Sequence, residues 1–256
     1  MPKNYTLLDN LDDEIDKKIQ GYMNTLSNPR KSFSLFAGAG SGKTRSLVKL
    51  LKSIKKEQGD YLFGKGQRVA VITYTNTASD EINRRLAYDS TFLIATIHSF
   101  IWEQIKYHTK DIKEYLIQDI NRRIKENEEK EKSGQAGSDA SIKRKKDLIR
   151  YNNRLSNMEN IKEFKYDPNG INNKPNSLSH SDVLNIGSYF LLEKPLFQKI
   201  FIQKYPILLI DESQDTHKNV LEAFLKVEEI YKDFFAIGLF GDMMQRIYFN
   251  GDKDLK

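Results

Sequence analysis

The 256-residue chain contains no cysteine, which excludes disulfides and thiolate metal sites. It also lacks a long apolar run: the strongest, 234–240, falls far short of the ~20 residues that a membrane-spanning helix needs. The opening residues, MPKNYTLLDNLDDEID, are acidic and carry no apolar signal-peptide core, so a reducing, cytoplasmic location without a membrane partner is expected. What is abundant is charge, 30% of residues, beside a hydrophobic fraction of 39% that suffices for a core. One large domain, or one domain with a sizeable insertion, fits this length, because single cores stop growing near ~250–300 residues.

The net charge is +6, and residues 121–154 alone carry eleven basic and six acidic side chains, a local +5. A solvated helical face and a surface facing a polyanion explain that excess equally well.

Five stretches, 32–36, 68–73, 92–96, 206–210 and 234–240, are nearly continuous in apolar or β-branched residues, the pattern of strands buried on both faces. Helix-like segments follow the first three, at 44–56, 78–86 and 97–107. Strand, loop and helix in repetition predict a parallel α/β sheet. Between Tyr107 and Tyr205 the strand pattern stops. Ile112, Leu116, Ile120 and Ile124, then Leu148, Tyr151, Leu155 and Met158, fall at helical spacing around a turn-like 133–138, which predicts a helical hairpin. Residues 167–176 read as a loop, and Ser181 or Asp182 as the cap of a further helix towards Glu193.

The decisive local feature is Ala37-Gly38-Ala39-Gly40-Ser41-Gly42-Lys43-Thr44, between a strand and a helix. Glycines let successive backbone N–H groups point inward at phosphate oxygens, and the helix adds its positive end. Lys43 is placed to neutralise the β and γ phosphates, and the Thr44 hydroxyl to ligate magnesium. Ala37 stands where the usual pattern has its first glycine. A carboxylate for the metal follows the aliphatic run 207–210, as Asp211, with Glu212 beside it to polarise the attacking water. Together these residues imply nucleoside triphosphate hydrolysis.

Five blocks in order resemble the first half of a superfamily 1 helicase of the UvrD, Rep and PcrA type: AGAGSGKTR at 37–45, TYTNTASDEINRR at 73–85, ATIHSF at 95–100, LLIDESQDT at 208–216 and FGDMMQRIY at 240–248. In that family alanine is usual where Ala37 stands. The resemblance implies a RecA-like P-loop ATPase domain (1A) at 1–106 and 196–256, interrupted by an all-helical 1B subdomain at 107–195. It implies ATP and Mg2+ as ligands, with Arg45 joining the nucleotide loop and Gln245 contacting the γ-phosphate. Gln214 is implied to couple the metal site to neighbouring DNA-contacting elements. Single-stranded DNA, or a junction with duplex, is the implied partner. Tyr74 and Tyr248 would stack on its bases, and Thr75, Asn76, His98 and Ser99 would bond its phosphates and sugars. Phe100 is the less suited contact, since an aromatic opening a helix is more often core.

Two departures stand out. The family's adenine-reading glutamine has only Gln20 as a counterpart, in a stretch unlike the family's pattern, and base reading stays open. The chain also ends shortly after the fifth block, so a second RecA-like lobe (2A/2B), with its arginines, is expected to be missing. The expected parent is a 3′-to-5′ translocase on single-stranded DNA. The rivals are the ATPase half of a RecB/AddA-like helicase-nuclease and a non-motor ATP-gated nucleic-acid clamp.

Overall fold

The computed structural model describes residues 7–24, 29–38, 40–133, 137–167 and 174–242. In chain order the elements are α1 (Leu7–Met23), β1 (Phe33–Phe36), α2 (Lys43–Gly64), β2 (Val69–Thr73), α3 (Asn76–Arg85), β3 (Phe92–Thr96), α4 (Ile97–Ile105), α5 (Thr109–Ser133) and α6 (Asp139–Asn157). There follow β4 (Lys165–Tyr166), β5 (Ser177–Leu178), α7 (His180–Glu193), α8 (Pro195–Lys204), β6 (Ile207–Ile210), a 3-10 turn (Ser213–Asp215), α9 (Lys218–Ile230) and β7 (Ala236–Gly241). No described helix is long and apolar enough to cross a membrane. The chain divides into two compact units, Met1–Phe100 with Phe190–Lys256, and Ile101–Tyr189.

In the first unit the five expected strands form one parallel sheet in the order β1-β7-β6-β2-β3. Both faces are covered, which is why the strands read as continuous apolar runs. Side chains alternate across a sheet, and one face presents Val69, Val71, Ile207, Leu209, Ala236 and Phe240 to Leu47, Leu50, Leu51 and Ile54 of α2 and to Ile19 and Met23 of α1. Elsewhere in this unit Phe201 of α8 meets the rings of Phe100, Phe197, Tyr205, Phe224 and Phe235. Phe100 is therefore core and not a surface contact, since it is fully buried among these rings. β7 starts later than expected: Phe234 stays in the exposed turn ahead of it.

Three helices go beyond the sequence expectation. α1 occupies the acidic N-terminal stretch, α8 opens with proline in its first turn, where a missing N–H costs nothing, and α9 buries Val220, Ala223, Phe224 and Val227 at helical spacing.

In the second unit α5 and α6 form the expected hairpin, with Ser138 capping α6 by accepting from Ser141 N at 3.3 Å. Arg144 Nε donates to Glu131 at 2.8 Å, tying the two helices near the turn. One two-residue parallel pair, β4 with β5, interrupts the otherwise helical unit. The cap of α7 is Ser179 and not Ser181 or Asp182. Ser179 Oγ accepts from Asp182 N, and Asp182 Oδ2 accepts from Ser179 N, both at 3.1 Å, a reciprocal capping box.

Candidate active site

Parallel strands bring all their carboxyl ends to one edge. The register sets Phe36 beside Gly241 and Ile210 beside Leu239, so the chain leaves β1, β7 and β6 at neighbouring points of that edge. The loop after β1 and Asp211 after β6 are two strand spacings apart, roughly 10 Å. That distance suits two groups holding opposite ends of one phosphate chain.

The loop is shaped by its glycines. Gly40 and Gly42 adopt φ of 75° and 89°, a region that residues with a side chain enter at a cost, and Ser41 N closes back on Gly38 O at 3.3 Å. α2 begins directly at Lys43, and the first N–H groups of a helix have no acceptor within it, so they are available to an anion. Lys43 is buried and its Nζ donates to Ala37 O at 3.0 Å and Gly38 O at 3.2 Å, which draws the ammonium into the curve of the loop. Ala39 lies outside the described residues.

Asp211 is only 4% exposed. Burial, and then the neighbouring Glu212 charge, push its pKa up to about 6, against the opposing pull of the Glu212 N–H and Lys43. Glu212 itself sits at φ 48°, a strained left-handed position that turns the chain sharply out of β6. Gln214 fixes its carboxylate: Nε2 donates to Glu212 Oε2 at 2.8 Å. The Gln214 carbonyl oxygen accepts from the Asp242 backbone N–H at 3.0 Å, linking this turn to the end of β7. That approach requires glycine at 241, where an added Cβ would lie 2.7 Å from Ser213 Oγ and 3.0 Å from Gln214 Oε1.

Two hollows open on this edge. One, of about 390 Å³, is lined by the loop from Gly40 to Arg45 and by Glu212 and Asp242. The other, of about 470 Å³, is lined by Thr44, Asp211 and Glu212 together with Tyr74 and Thr75. Lys43, Thr44, Asp211 and Glu212 are thus brought together, and Tyr74, 61% exposed, shares a hollow with three of them. The donor set fits magnesium arriving with a triphosphate. One buried carboxylate and one hydroxyl are available, and Mg2+ takes its remaining ligands from phosphate and water. Among the described residues no cluster of three His, Asp or Glu side chains forms a metal centre made of protein alone.

The other expected residues are placed less directly. The Thr75 hydroxyl caps α3, accepting from Ala78 N at 3.1 Å, while Asn76 lies exposed in the first turn of that helix. His98 and Ser99 open α4, leaving β3 next to the end of β2 because Thr73 pairs with Thr96. Thr96 Oγ1 donates to Ser99 Oγ at 3.0 Å. Asn76, His98 and Ser99 line neither of the two hollows, whereas Thr75 lines the second. Gln20 accepts from Ser53 Oγ at 3.4 Å in the seam between α1 and α2 and lines neither hollow. Gln245 and Tyr248 lie outside the described residues.

Sequence reasoning missed Arg85 and Asp242. Arg85 lines both hollows and donates from Nε to Glu81 Oε1 at 2.7 Å, while Arg84 bonds the other oxygen of the same carboxylate. The signal was present, since Glu81 and Arg85 are four residues apart on one helix face. Asp242 is buried at the end of β7. Only the sheet order, which places β7 between β1 and β6, reveals that it faces the phosphate loop.

The chain is similar in sequence to known proteins. The chain is 27% identical over 303 aligned positions to the Gabija protein GajB of Bacillus cereus (strain HuB5-5), covering 93% of this chain and 44% of that protein. It is 29% identical over 217 positions to GajB of Bacillus cereus (strain VD045), covering 83% and 37%. The chain therefore spans less than half the length of the curated relatives it matches. Residues 20–251 match the UvrD/REP helicase N-terminal domain, from α1 to past the last strand. The parallel sheet, the glycine loop and the Asp211-Glu212 pair all lie within that match, and this chain belongs to the UvrD/REP helicase N-terminal domain family.

Proposed function

We propose that this chain is the ATP-binding part of a cytoplasmic motor that moves along single-stranded DNA, 3′ to 5′ by the family's habit, with 107–195 as its helical 1B subdomain. The observation that carries the reading is that Thr44, Asp211, Glu212 and the exposed Tyr74 line one hollow. A phosphate site and a base-stacking platform that share walls can sense one another.

In this reading the loop N–H groups and Lys43 hold the β and γ phosphates, with Arg85 adding positive charge at the mouth. Thr44 and Asp211 would hold the magnesium ion that arrives with ATP, which would supply positive charge against the phosphate oxygens. Glu212 takes a proton from the water that attacks the γ-phosphorus, and the β-phosphate oxygen leaves as ADP. Gln214 keeps the Glu212 carboxylate aimed and passes its position to the β7 end. Gln245 and Tyr248 belong to the same machinery as γ-phosphate contact and second stacking ring. Asn76, His98 and Ser99 lie along the strand's backbone path. Arginines from a second RecA-like lobe raise phosphoryl-transfer rates by ~10³–10⁵, so the chain alone turns over slowly and unwinds nothing.

The test is Lys43→Ala. It should abolish hydrolysis and the magnesium-dependent part of ATP binding while thermal unfolding changes little. DNA should stimulate hydrolysis when the chain is joined to its second lobe. Binding without repeated, DNA-stimulated turnover would replace the motor by an ATP-gated clamp.

A further inference from the structure

The unit Ile101–Tyr189 holds a hollow of its own, of about 620 Å³, between α5, α6 and the segment that leads into α7. Its size is that of a small-ligand site, and such sites favour the space between helices. Its charge is one-sided. Arg123, Lys146, Arg150, Arg154 and Lys174 line it against two carboxylates, Asp119 and Asp182, a surplus of three positive charges (5 − 2).

The two carboxylates are already engaged. Asp119 is buried and accepts from Arg122 and Arg123, each at 2.6 Å. Asp182 accepts from Arg154 at 3.4 Å, and Arg154 also donates to the carbonyls of Pro175 and Ser177 at 3.2 and 3.0 Å. These bonds hold the walls and use up Arg123 and Arg154. Lys146 and Lys174 are exposed and make no ion pair among the described residues. Arg150 pairs with Asp147 at 3.1 Å, outside the lining, and its guanidinium lies over the Tyr151 ring, 5.4 Å from the centroid. Lys146, Arg150 and Arg154 lie one turn apart on the same side of α6, and Lys174 stands on another wall. Ser177 and Ser181 and the apolar Ile149 are also among the lining residues.

Ammonium groups without an ion pair on two walls, with serines in the same lining, match the several oxygens of a phosphoryl group better than a single carboxylate. An adjoining apolar side chain suits a base or sugar. Neither carboxylate is free of an arginine, so the described lining supplies no base to activate water. We propose that this hollow binds a free nucleoside polyphosphate without hydrolysing it, as a second nucleotide site that shares no residue with the Gly40–Arg45 loop. Its lining comes from three chain segments, α5, α6 and 174–182, which gives a compact ligand contacts on several sides.

The experiment titrates ADP in the absence of magnesium into the full chain carrying Lys43→Ala, by calorimetry. One equivalent should bind. Adding Lys146→Glu with Lys174→Glu should weaken it by ~10-fold or more, and Lys146→Gln with Lys174→Gln by less, in proportion to the charge removed. Lys143→Glu with Lys145→Glu changes the net charge equally but lies outside the lining, and should leave ADP binding within ~2-fold. The proposal is overturned by absence of saturable ADP binding in the Lys43→Ala chain. Equal losses in the two Glu pairs overturn it too, as general electrostatics. So does a response of single-stranded oligonucleotide binding, and not of ADP binding, to Lys146→Glu with Lys174→Glu.

Discussion

The Gln214 side-chain amide donates to the Glu212 carboxylate at 2.8 Å while its own oxygen accepts from the Asp242 N–H at 3.0 Å. One neutral side chain thus holds the Glu212 carboxylate, the proposed water-activating group, and the end of β7 in a fixed relation. Gln214→Ala is expected to lower single-turnover ATP hydrolysis by ~10-fold with nucleotide affinity unchanged, because it removes an orienting bond and no phosphate contact. Gly241→Ala should act in the same direction, since its Cβ would press on Ser213 Oγ at 2.7 Å. Affinity falling in step with rate would show that Gln214 holds the nucleotide and not the acid.

Burial of Asp211 sets a pH dependence. Folding raises its pKa to about 6, above that of the open chain, so the folded state binds more protons between those values and stability falls as pH rises through that window. Asp211→Asn keeps an oxygen for the Glu212 N–H and removes the buried charge. Without magnesium, Tm should rise by ~3–8 °C at pH 7.5 and hardly at all at about pH 3, below both values. The same variant should lose magnesium-dependent ATP binding. A Tm that drops at pH 7.5 would mean that the carboxylate is stabilised by its surroundings.

Strain is also stored far from the chemistry. Ala87 and Tyr88 both adopt left-handed φ, 52° and 54°, in the turn from α3 to β3, closed by Asp89 N on Leu86 O at 3.2 Å. Left-handed backbone costs an ordinary residue ~1–2 kcal/mol, and glycine gives back part of that gain as unfolded-state entropy. Tyr88, 72% exposed, loses little packing on truncation. Tyr88→Gly should therefore raise Tm by ~2 °C, as read by thermal unfolding. No change, or a loss, would show that the ring contributes more than its exposure suggests.

The basic run 143–146 is not one patch. Arg144 is committed to Glu131 at 2.8 Å and Lys146 lines the hollow of the second unit, which leaves as outward charges Lys143 and Lys145, the latter exposed and only loosely paired with Glu131 at 3.8 Å. Lys143→Glu with Lys145→Glu should weaken DNA binding and reduce the slope of log affinity against log salt by ~1–2, as released counterions require. Unchanged affinity and slope would make that face a merely solvated one.

Much of this was legible from local pattern. Strands buried on both faces announce themselves as apolar runs, and the glycine spacing at 38, 40 and 42 has one economical explanation, a backbone curled around phosphate. Val220, Ala223, Phe224 and Val227 show that α9 was equally readable. The caps were less so, because Ser179, Ser181 and Asp182 compete within four residues and only the reciprocal bonds select Ser179.

By itself the sequence determined the parallel sheet, the glycine-rich turn after β1 and the acid pair after β6, because backbone geometry and burial periodicity act over a few residues. Only the tertiary structure decided that β7 lies between β1 and β6, that Arg85 and Asp242 join the site, and that Arg144 is withdrawn from the basic face. Strand order and the direction of a long side chain depend on partners tens to hundreds of residues away, and no local pattern encodes that distance.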